Sequence, residues 1–268
     1  MTDVIKVVVN TCFRLFLALF ALCLFSASVC LAVSLKQSQI PIFIAHAGGA
    51  VNQQTYTNSL EALNLNYDNG FRFFEIDLSW TSDGELVAIH DWDGSFRGKF
   101  IVSEEIKVPT EAEFLKLKMK TGLTPLSLEN VLMWAKGKGD VVIVTDIKDE
   151  NIKALGKIFT DFEAYIDYII PQVYSYQEYS EANTLGYPRT ILTMYKMKID
   201  PDEVMHFLTQ NSPFAVTMPW QVAQSGLASH LYQNQIVVYA HTVNDIKLFN
   251  SLRKIGVFGI YTDYISPP

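Results

Sequence analysis

Short apolar runs rich in β-branched residues recur along the chain at 42–47, 71–80, 141–147, 168–174, 190–195, 214–218, 236–242 and 258–262. Between them lie longer stretches with helical periodicity, near 59–69, 127–136, 151–159, 176–185, 201–210, 222–232 and 244–254. A ninth apolar run, 85–90, follows 71–80 across the polar turn Thr81-Ser82-Asp83-Gly84. That turn is too short for a crossover helix, so the two runs are expected to pair as an antiparallel hairpin. Strand and helix in alternation predict a parallel sheet, and eight such units predict a closed (β/α)8 TIM barrel carrying one extra hairpin strand. About 230 residues are left once an apolar leader is set aside, close to the ~250 typical of such a barrel.

One stretch breaks the rhythm. Residues 92–124 carry Gly94, Gly98, Pro109 and a charged run around Lys116, Lys118 and Lys120. An insertion there, after the hairpin, is expected at the end of the barrel where active sites form, either as a substrate-selecting lid or as a solvated loop.

The leader changes the picture of where the protein works. Residues 15–33 contain no charge, are preceded by Lys6 and Arg14, and run into small residues near Ala32 and Ser34. Residues 1–34 therefore read as a secretory signal, with an uncleaved amino-terminal membrane anchor as the competitor, because 19 residues is near the ~20 of a spanning helix. Either way the domain at 35–268 is expected to be exported: periplasmic, secreted, or held on the outer face of the membrane. All three cysteines, Cys12, Cys23 and Cys30, precede this domain, which excludes disulfides, thiol nucleophiles and zinc-thiolate sites from it.

The composition, 49% hydrophobic and 18% charged, is that of a globular chain. Of 21 basic and 28 acidic residues, two basic and one acidic lie in 1–34, so the domain keeps 19 and 27 and a net charge of −8. So acidic a surface argues against nucleic acid or anionic lipid as a main partner. The remaining route to a membrane is the amino-terminal segment itself.

Candidate chemistry is concentrated in 43–93. Glu75 and Asp77 stand two apart on a strand, so both carboxylates share one face. Two like charges that close need a cation, or one of them keeps a proton. The hairpin brings His90 back towards this pair, and His46, at the end of its own strand, is placed to join them. Two imidazoles around a carboxylate pair suit metal-assisted acid/base cleavage of a phosphate ester. Further along, Asp146 and Lys148 share a face at the end of the run 141–147, expected to be the barrel interior near its carboxyl end.

The order His46-x-Gly48, Asn58-Ser59-Leu60, Glu75-x-Asp77, Ser82-Asp83-Gly84, His90-Asp91 resembles the amino-terminal signature of the glycerophosphodiester phosphodiesterases, within the superfamily shared with phosphatidylinositol-specific phospholipase C. The closing Gly259-Ile260-Tyr261-Thr262-Asp263-Tyr264 is similar to that family's last strand, and Thr242-Val243-Asn244 follows His241, which stands where the family has tryptophan. The resemblance is faint between about 150 and 235. It implies a metal-dependent hydrolase that cleaves glycerophosphodiesters to glycerol phosphate and an alcohol. Glu75, Asp77 and Asp146 would then hold Ca²⁺ or Mg²⁺, His46 and His90 would act as acid and base, and Lys148 would lie close to the phosphate of a small-molecule phosphodiester.

Three positions depart from the family pattern. Asp146 is a methylene shorter than the family's glutamate, Ala47 replaces an arginine that would contact phosphate, and Thr57 replaces a glutamate. Arg97 and Lys148 are the expected substitutes for the lost guanidinium, whereas alternation turns Arg72 away from the interior. Tyr195 and Trp220, at strand ends, read either as packing on substrate or, more often for such aromatics, as rim packing; His206 and His230 read as helical surface or packing residues. Two other readings compete: a phospholipase acting on intact lipid, and a non-catalytic barrel that binds phosphate esters.

Overall fold

Register explains how the strands of this chain share their interior. A computed structural model describes residues 40–102 and 107–268. Residues 42–268 form one compact unit; of the other, Met1–Pro41, only residues 40 and 41 are described, so the leader or anchor expected at 1–34 lies outside the described residues. Among the described residues no helix is long and apolar enough to cross a membrane.

The strands are β1 (Phe43–Ala45), β2 (Phe73–Trp80), β3 (Leu86–Ala88), β4 (Val142–Ile147), β5 (Ile169–Val173), β6 (Ile191–Thr193), β7 (Ala215–Pro219), β8 (Val238–His241) and β9 (Gly259–Thr262). Eight of them pair parallel in the order β1-β2-β4-β5-β6-β7-β8-β9, and β9 returns to β1, closing the expected (β/α)8 barrel. The ninth, β3, pairs antiparallel with the upper end of β2, with Leu78 opposite Ala88 and Trp80 opposite Leu86. β1 stops at Ala45, which reaches only Phe74, so the carboxyl half of β2 has an edge left for the hairpin strand.

In a parallel ladder, register partners face the same side. Glu75 pairs with Val144 and Asp77 with Asp146; Val144 pairs with Ile170, Gln172 with Ile191, Thr193 with Thr217, Thr217 with Tyr239, Tyr239 with Gly259 and Ile44 with Tyr261. One interior face follows, apolar below and polar above, where Asp77, Asp146, Gln172, Thr193, His241 and Tyr261 end their strands. At the lower end Phe73 stacks on Phe214, centroids 6.3 Å apart at 12°.

Local chemistry sets the helices. Ser59 caps α1 (Leu60–Asp68) by accepting from the Ala62 N–H. The short α2 (Gly94–Lys99) and α3 (Glu111–Phe114) fall in 92–124, and a capping box of Ser127 and Asn130 opens α4 (Leu128–Lys138). Next come α5 (Asn151–Asp161), α6 (Tyr176–Leu185) and α7 (Pro201–Gln210), the last started by the Asp200 cap with proline in its first turn.

Two boundaries differ from expectation. The helix sought at 222–232 begins at Trp220 and is broken by a π turn, Ala223–Leu227, around Gly226. The one sought at 244–254 begins at Ile246, because Asp245 is its cap and the Asn244 side chain is engaged elsewhere.

Among the described residues of 92–124, part is packed rather than solvated. Phe96, Phe100, Phe114, Met119 and Leu123 are buried together with Val87 and Ile89 of the hairpin and Val51, forming a second, smaller apolar core. Trp92 sits against it and donates its indole N–H to the Trp80 carbonyl at 2.7 Å.

Candidate active site

His46 is not the last residue of a strand but the first of a 3-10 turn, His46–Gly48, directly after β1. The turn forms because Ala47 takes a left-handed conformation (φ +49°), which aims its N–H at Glu75 Oε2, 2.7 Å away. Gly49 is required next: at φ +82°, a Cβ there would lie 2.4 Å from Asn66 Nδ2, the amide that ties the turn to α1 through the Gly48 carbonyl.

The three predicted carboxylates meet. Glu75, Asp77 and Asp146 each offer an oxygen within 4.8 Å of the others. Glu75 and Asp77 are buried, and one Glu75 oxygen, Oε1, has no hydrogen-bond partner among the described residues. Burial first, then the charge of Asp77, holds the Glu75 carboxyl well above its usual range despite the opposing pull of His46. Burial and the charge of Asp146 likewise raise Asp77, against Lys148. Crowded, buried, partly unsatisfied carboxylates fit a hard divalent cation such as Ca²⁺ or Mg²⁺, which takes oxygen ligands.

Asn58 fixes Asp77 twice, donating to Oδ2 at 3.0 Å and accepting the Asp77 N–H at 3.1 Å. Lys148 spans the cluster, 3.0 Å from Asp146 and 3.5 Å from Asp77. Those two charges raise its pKa despite burial. The other Asp146 oxygen accepts from the Tyr174 hydroxyl.

Both imidazoles are oriented through Nδ1. His46 Nδ1 lies 2.9 Å from Asp263 Oδ1, which leaves Nε2 at 4.0 Å from Glu75. Burial lowers its pKa, but the Asp263 hydrogen bond and the charges of Glu75, Asp263 and Asp77 outweigh it, and the group is raised to about 9. Asp263 is in turn set by Asn244, which donates to Oδ2 at 2.6 Å and accepts the Asp263 N–H at 2.8 Å. His90 Nδ1 lies 2.8 Å from Asp91 Oδ2. Asp91 also accepts from Ser95, and these bonds together overcome burial and lower its pKa.

A cavity of about 180 Å³ opens above the cluster, lined by His46, Tyr56, His90, Asp146, Lys148 and residues that end β5, β6, β8 and β9. Both histidines therefore border the same space as Asp146 and Lys148. Of the aromatic residues read as rim packing, Tyr195 lines it and Trp220 does not. Arg97, expected as a substitute cation, pairs with Asp93 on α2 and does not line it either. Arg72 pairs with Asp140 at the amino end of β2, facing away as alternation requires.

His241, in the position of the family's tryptophan, also lines the cavity. Burial, then the neighbouring His46, depresses it to about 4, so it stays neutral.

Asp263 and Tyr56 were not among the candidates. Asp263 stood in a quoted motif, but only the fold brings it to His46, 217 residues away in sequence. Tyr56 has no motif to mark it.

Comparison with known proteins bears on this arrangement. The family model described as "Glycerophosphoryl diester phosphodiesterase family" matches residues 46–266. Among solved structures, a phosphodiesterase of Oleispira antarctica in complex with the product sn-glycerol-3-phosphate is 18% identical, with TM-score 0.69 over 85% of this chain and 94% of its own. A glycerophosphodiester phosphodiesterase of Thermotoga maritima is 18% identical, with TM-score 0.67 over 84% and 95%. One from Parabacteroides distasonis is 19% identical, with TM-score 0.65 over 82% and 92%. At these identities the likeness is one of fold.

Proposed function

The chain belongs to the glycerophosphoryl diester phosphodiesterase family, and from that premise we propose that its cavity hydrolyses small glycerophosphodiesters by histidine acid/base catalysis with a divalent cation. The observation that carries this reading is the convergence of two Nδ1-anchored imidazoles, His46 and His90, on one cavity above Glu75, Asp77 and Asp146.

Glu75, Asp77 and Asp146 would hold the cation, Ca²⁺ or Mg²⁺. When bound, it supplies a positive centre that draws charge from a non-bridging phosphoryl oxygen. The rest of the work belongs to the chain's own residues. One imidazole removes the proton of the nucleophile, a neighbouring substrate hydroxyl or water, as its oxygen bonds to phosphorus. The other gives a proton to the alkoxide as the phosphorus–oxygen bond to the leaving group breaks; attack by water gives glycerol phosphate directly, whereas attack by the substrate hydroxyl gives a cyclic phosphate that water then opens with the two imidazoles in exchanged roles. Anchoring each Nδ1 on a carboxylate points each Nε2 into the cavity and fixes the tautomer. Lys148 offsets negative charge that accumulates on the phosphoryl group.

The sn-glycerol-3-phosphate bound by the Oleispira antarctica protein supports a glycerol phosphate product here. The net charge of −8 over residues 35–268 is unfavourable for docking on an anionic lipid surface, which disfavours the phospholipase alternative. Export, or retention by an amino-terminal anchor, would place this hydrolysis outside the cytoplasm.

The test is hydrolysis of glycerophosphocholine with and without chelator. Cleavage that stops with chelator and returns with Ca²⁺ or Mg²⁺ is expected, with a loss of ~100-fold or more for His46→Ala and for His90→Ala. Binding of glycerol phosphate without any cleavage would instead establish the non-catalytic alternative.

A further inference from the structure

The segment that carries the chain from β1 into α1 is unusually strained. Asn52, Gln53, Tyr56 and Asn58 all have positive φ, the left-handed region that non-glycine residues rarely enter. Strain of this kind persists where surrounding contacts over-determine it. At Asn58 the reason is the double hydrogen bond to Asp77. At Tyr56 (φ +55°) the result is a phenol ring over the site.

That ring stands between the two histidines, edge-on to both. Its centroid is 4.6 Å from His46 at 83° and 5.5 Å from His90 at 82°. The residue lines the cavity and is 38% exposed, and its hydroxyl makes no hydrogen bond to another described residue. Burial, then the charges of Asp77, Asp263 and Asp146's neighbour Glu75, raise the phenol to about 12, so it is a neutral donor at any working pH.

The side chain of Ala47 is a buried methyl group and its N–H is taken by Glu75, while the Lys148 ammonium that would offset phosphoryl charge is shared with Asp77 and Asp146. The backbone beneath Tyr56 is also held in place, since Lys99 Nζ of α2 donates to the Thr55 carbonyl at 2.6 Å. The insertion therefore steadies the residue that overhangs the histidines.

We propose that the Tyr56 hydroxyl donates a hydrogen bond to a non-bridging oxygen of the phosphoryl group held between His46 and His90, making Tyr56 a substrate-contacting residue and Lys99 the positioning residue beneath it. This rests on the phosphodiesterase reading for its substrate, though not for the binding it predicts. A hydrogen bond to a charged group is worth about 1.5–3 kcal/mol, or roughly 10- to 150-fold.

The experiment compares the full chain with Tyr56→Phe, which keeps the ring and removes the donor, using sn-glycerol-3-phosphate as the calorimetric probe in saturating Ca²⁺ or Mg²⁺. Tyr56→Phe is expected to weaken the probe and to lower kcat/KM for glycerophosphocholine, each by about 10- to 100-fold, with cation affinity and Tm unchanged. Lys99→Met is expected to act in the same direction, and to add little when combined with Tyr56→Phe, because the two belong to one unit. Unchanged probe affinity in Tyr56→Phe, or a loss matched by an equal loss of cation affinity, overturns the proposal. Were the wild type to cleave nothing, the hydrolase reading would fail while the binding comparison still decided the role of Tyr56.

Discussion

Asp77 and Asp146 are register partners on the adjacent parallel strands β2 and β4. The ladder itself therefore brings two carboxylates together, and Lys148 bridges them at 3.5 and 3.0 Å. With Glu75 beside them, this cluster stores repulsion that a bound cation would relieve.

The first consequence is a dependence of stability on pH that runs opposite to ordinary acid denaturation. Glu75, Asp77 and His46 all have folded pKa values raised above their unfolded ones. The folded state thus holds more protons than the unfolded one, and stability falls as pH rises through that window. For His46 the contribution is complete below about 6.5 and lost by about 9; for the two carboxyls the fall begins near their ordinary values. Thermal melts of chelator-treated protein are expected to show Tm dropping between pH 6 and 9. Added Ca²⁺ or Mg²⁺ is expected to raise Tm more at the alkaline end. A Tm that climbs with pH and ignores the cation would contradict the carboxylate-cluster account.

A second concerns the orientation of His46. Asp263→Asn removes the negative charge beside Nδ1 and replaces one of the two acceptor oxygens with an amide N–H, so the His46 pKa is expected to fall from about 9, as seen by NMR titration. Turnover is expected to fall by ~100-fold or more, because the imidazole loses both its tautomer and its aim. Asn244→Ala is expected to move both in the same direction by less, acting through Asp263. Unaltered titration of His46 in Asp263→Asn would remove the dyad from the mechanism.

Lys148 separates cation binding from catalysis. Its ammonium lies within 3.5 Å of two carboxylates and opposes any second positive charge placed there. Lys148→Met is expected to tighten Ca²⁺ or Mg²⁺ by about tenfold in calorimetry while slowing turnover, since the phosphoryl charge loses its partner. Weaker cation binding would show that the lysine orders the carboxylates more than it repels the metal.

Asn58 acts on the cluster from behind. Its two bonds to Asp77 orient a carboxylate that has little other support, and Asn58→Ala is expected to weaken the cation by about 10- to 100-fold. Calorimetry against the wild type reads this directly, with no assay of activity.

The barrel was legible because its strands carry their own period. β-branched runs of strand length, most of them followed by a helical segment, predict a parallel sheet, and apart from the π turn at Ala223–Leu227 and the short helices of 92–124 it was the ends of elements that moved. Glu75, Asp77, Asp146 and Lys148 could be placed because a two-residue spacing on a strand determines a shared face. Asp263 could not, since its tie to His46 spans the closure of β9 on β1. Arg97 was misplaced for a related reason. Its distance from His90 along the chain is short, but α2 turns it outward to Asp93. The sequence of 92–124 reads as either a lid or a solvated loop because its aromatic residues lack a sustained period, yet Phe96, Phe100 and Phe114 pack into a core of their own.

That smaller core has a bearing on heat. His90 follows β3, which joins the barrel through three register pairs on β2 and buries Val87 and Ile89 among the insertion's aromatics, whereas Glu75, Asp77 and Asp146 ride on the closed ring. A sub-global opening of the minor layer displaces one imidazole and leaves the carboxylates standing. On warming, hydrolysis is therefore expected to be lost a few degrees below the global Tm and to return on cooling, which activity and circular dichroism followed on one temperature ramp would read.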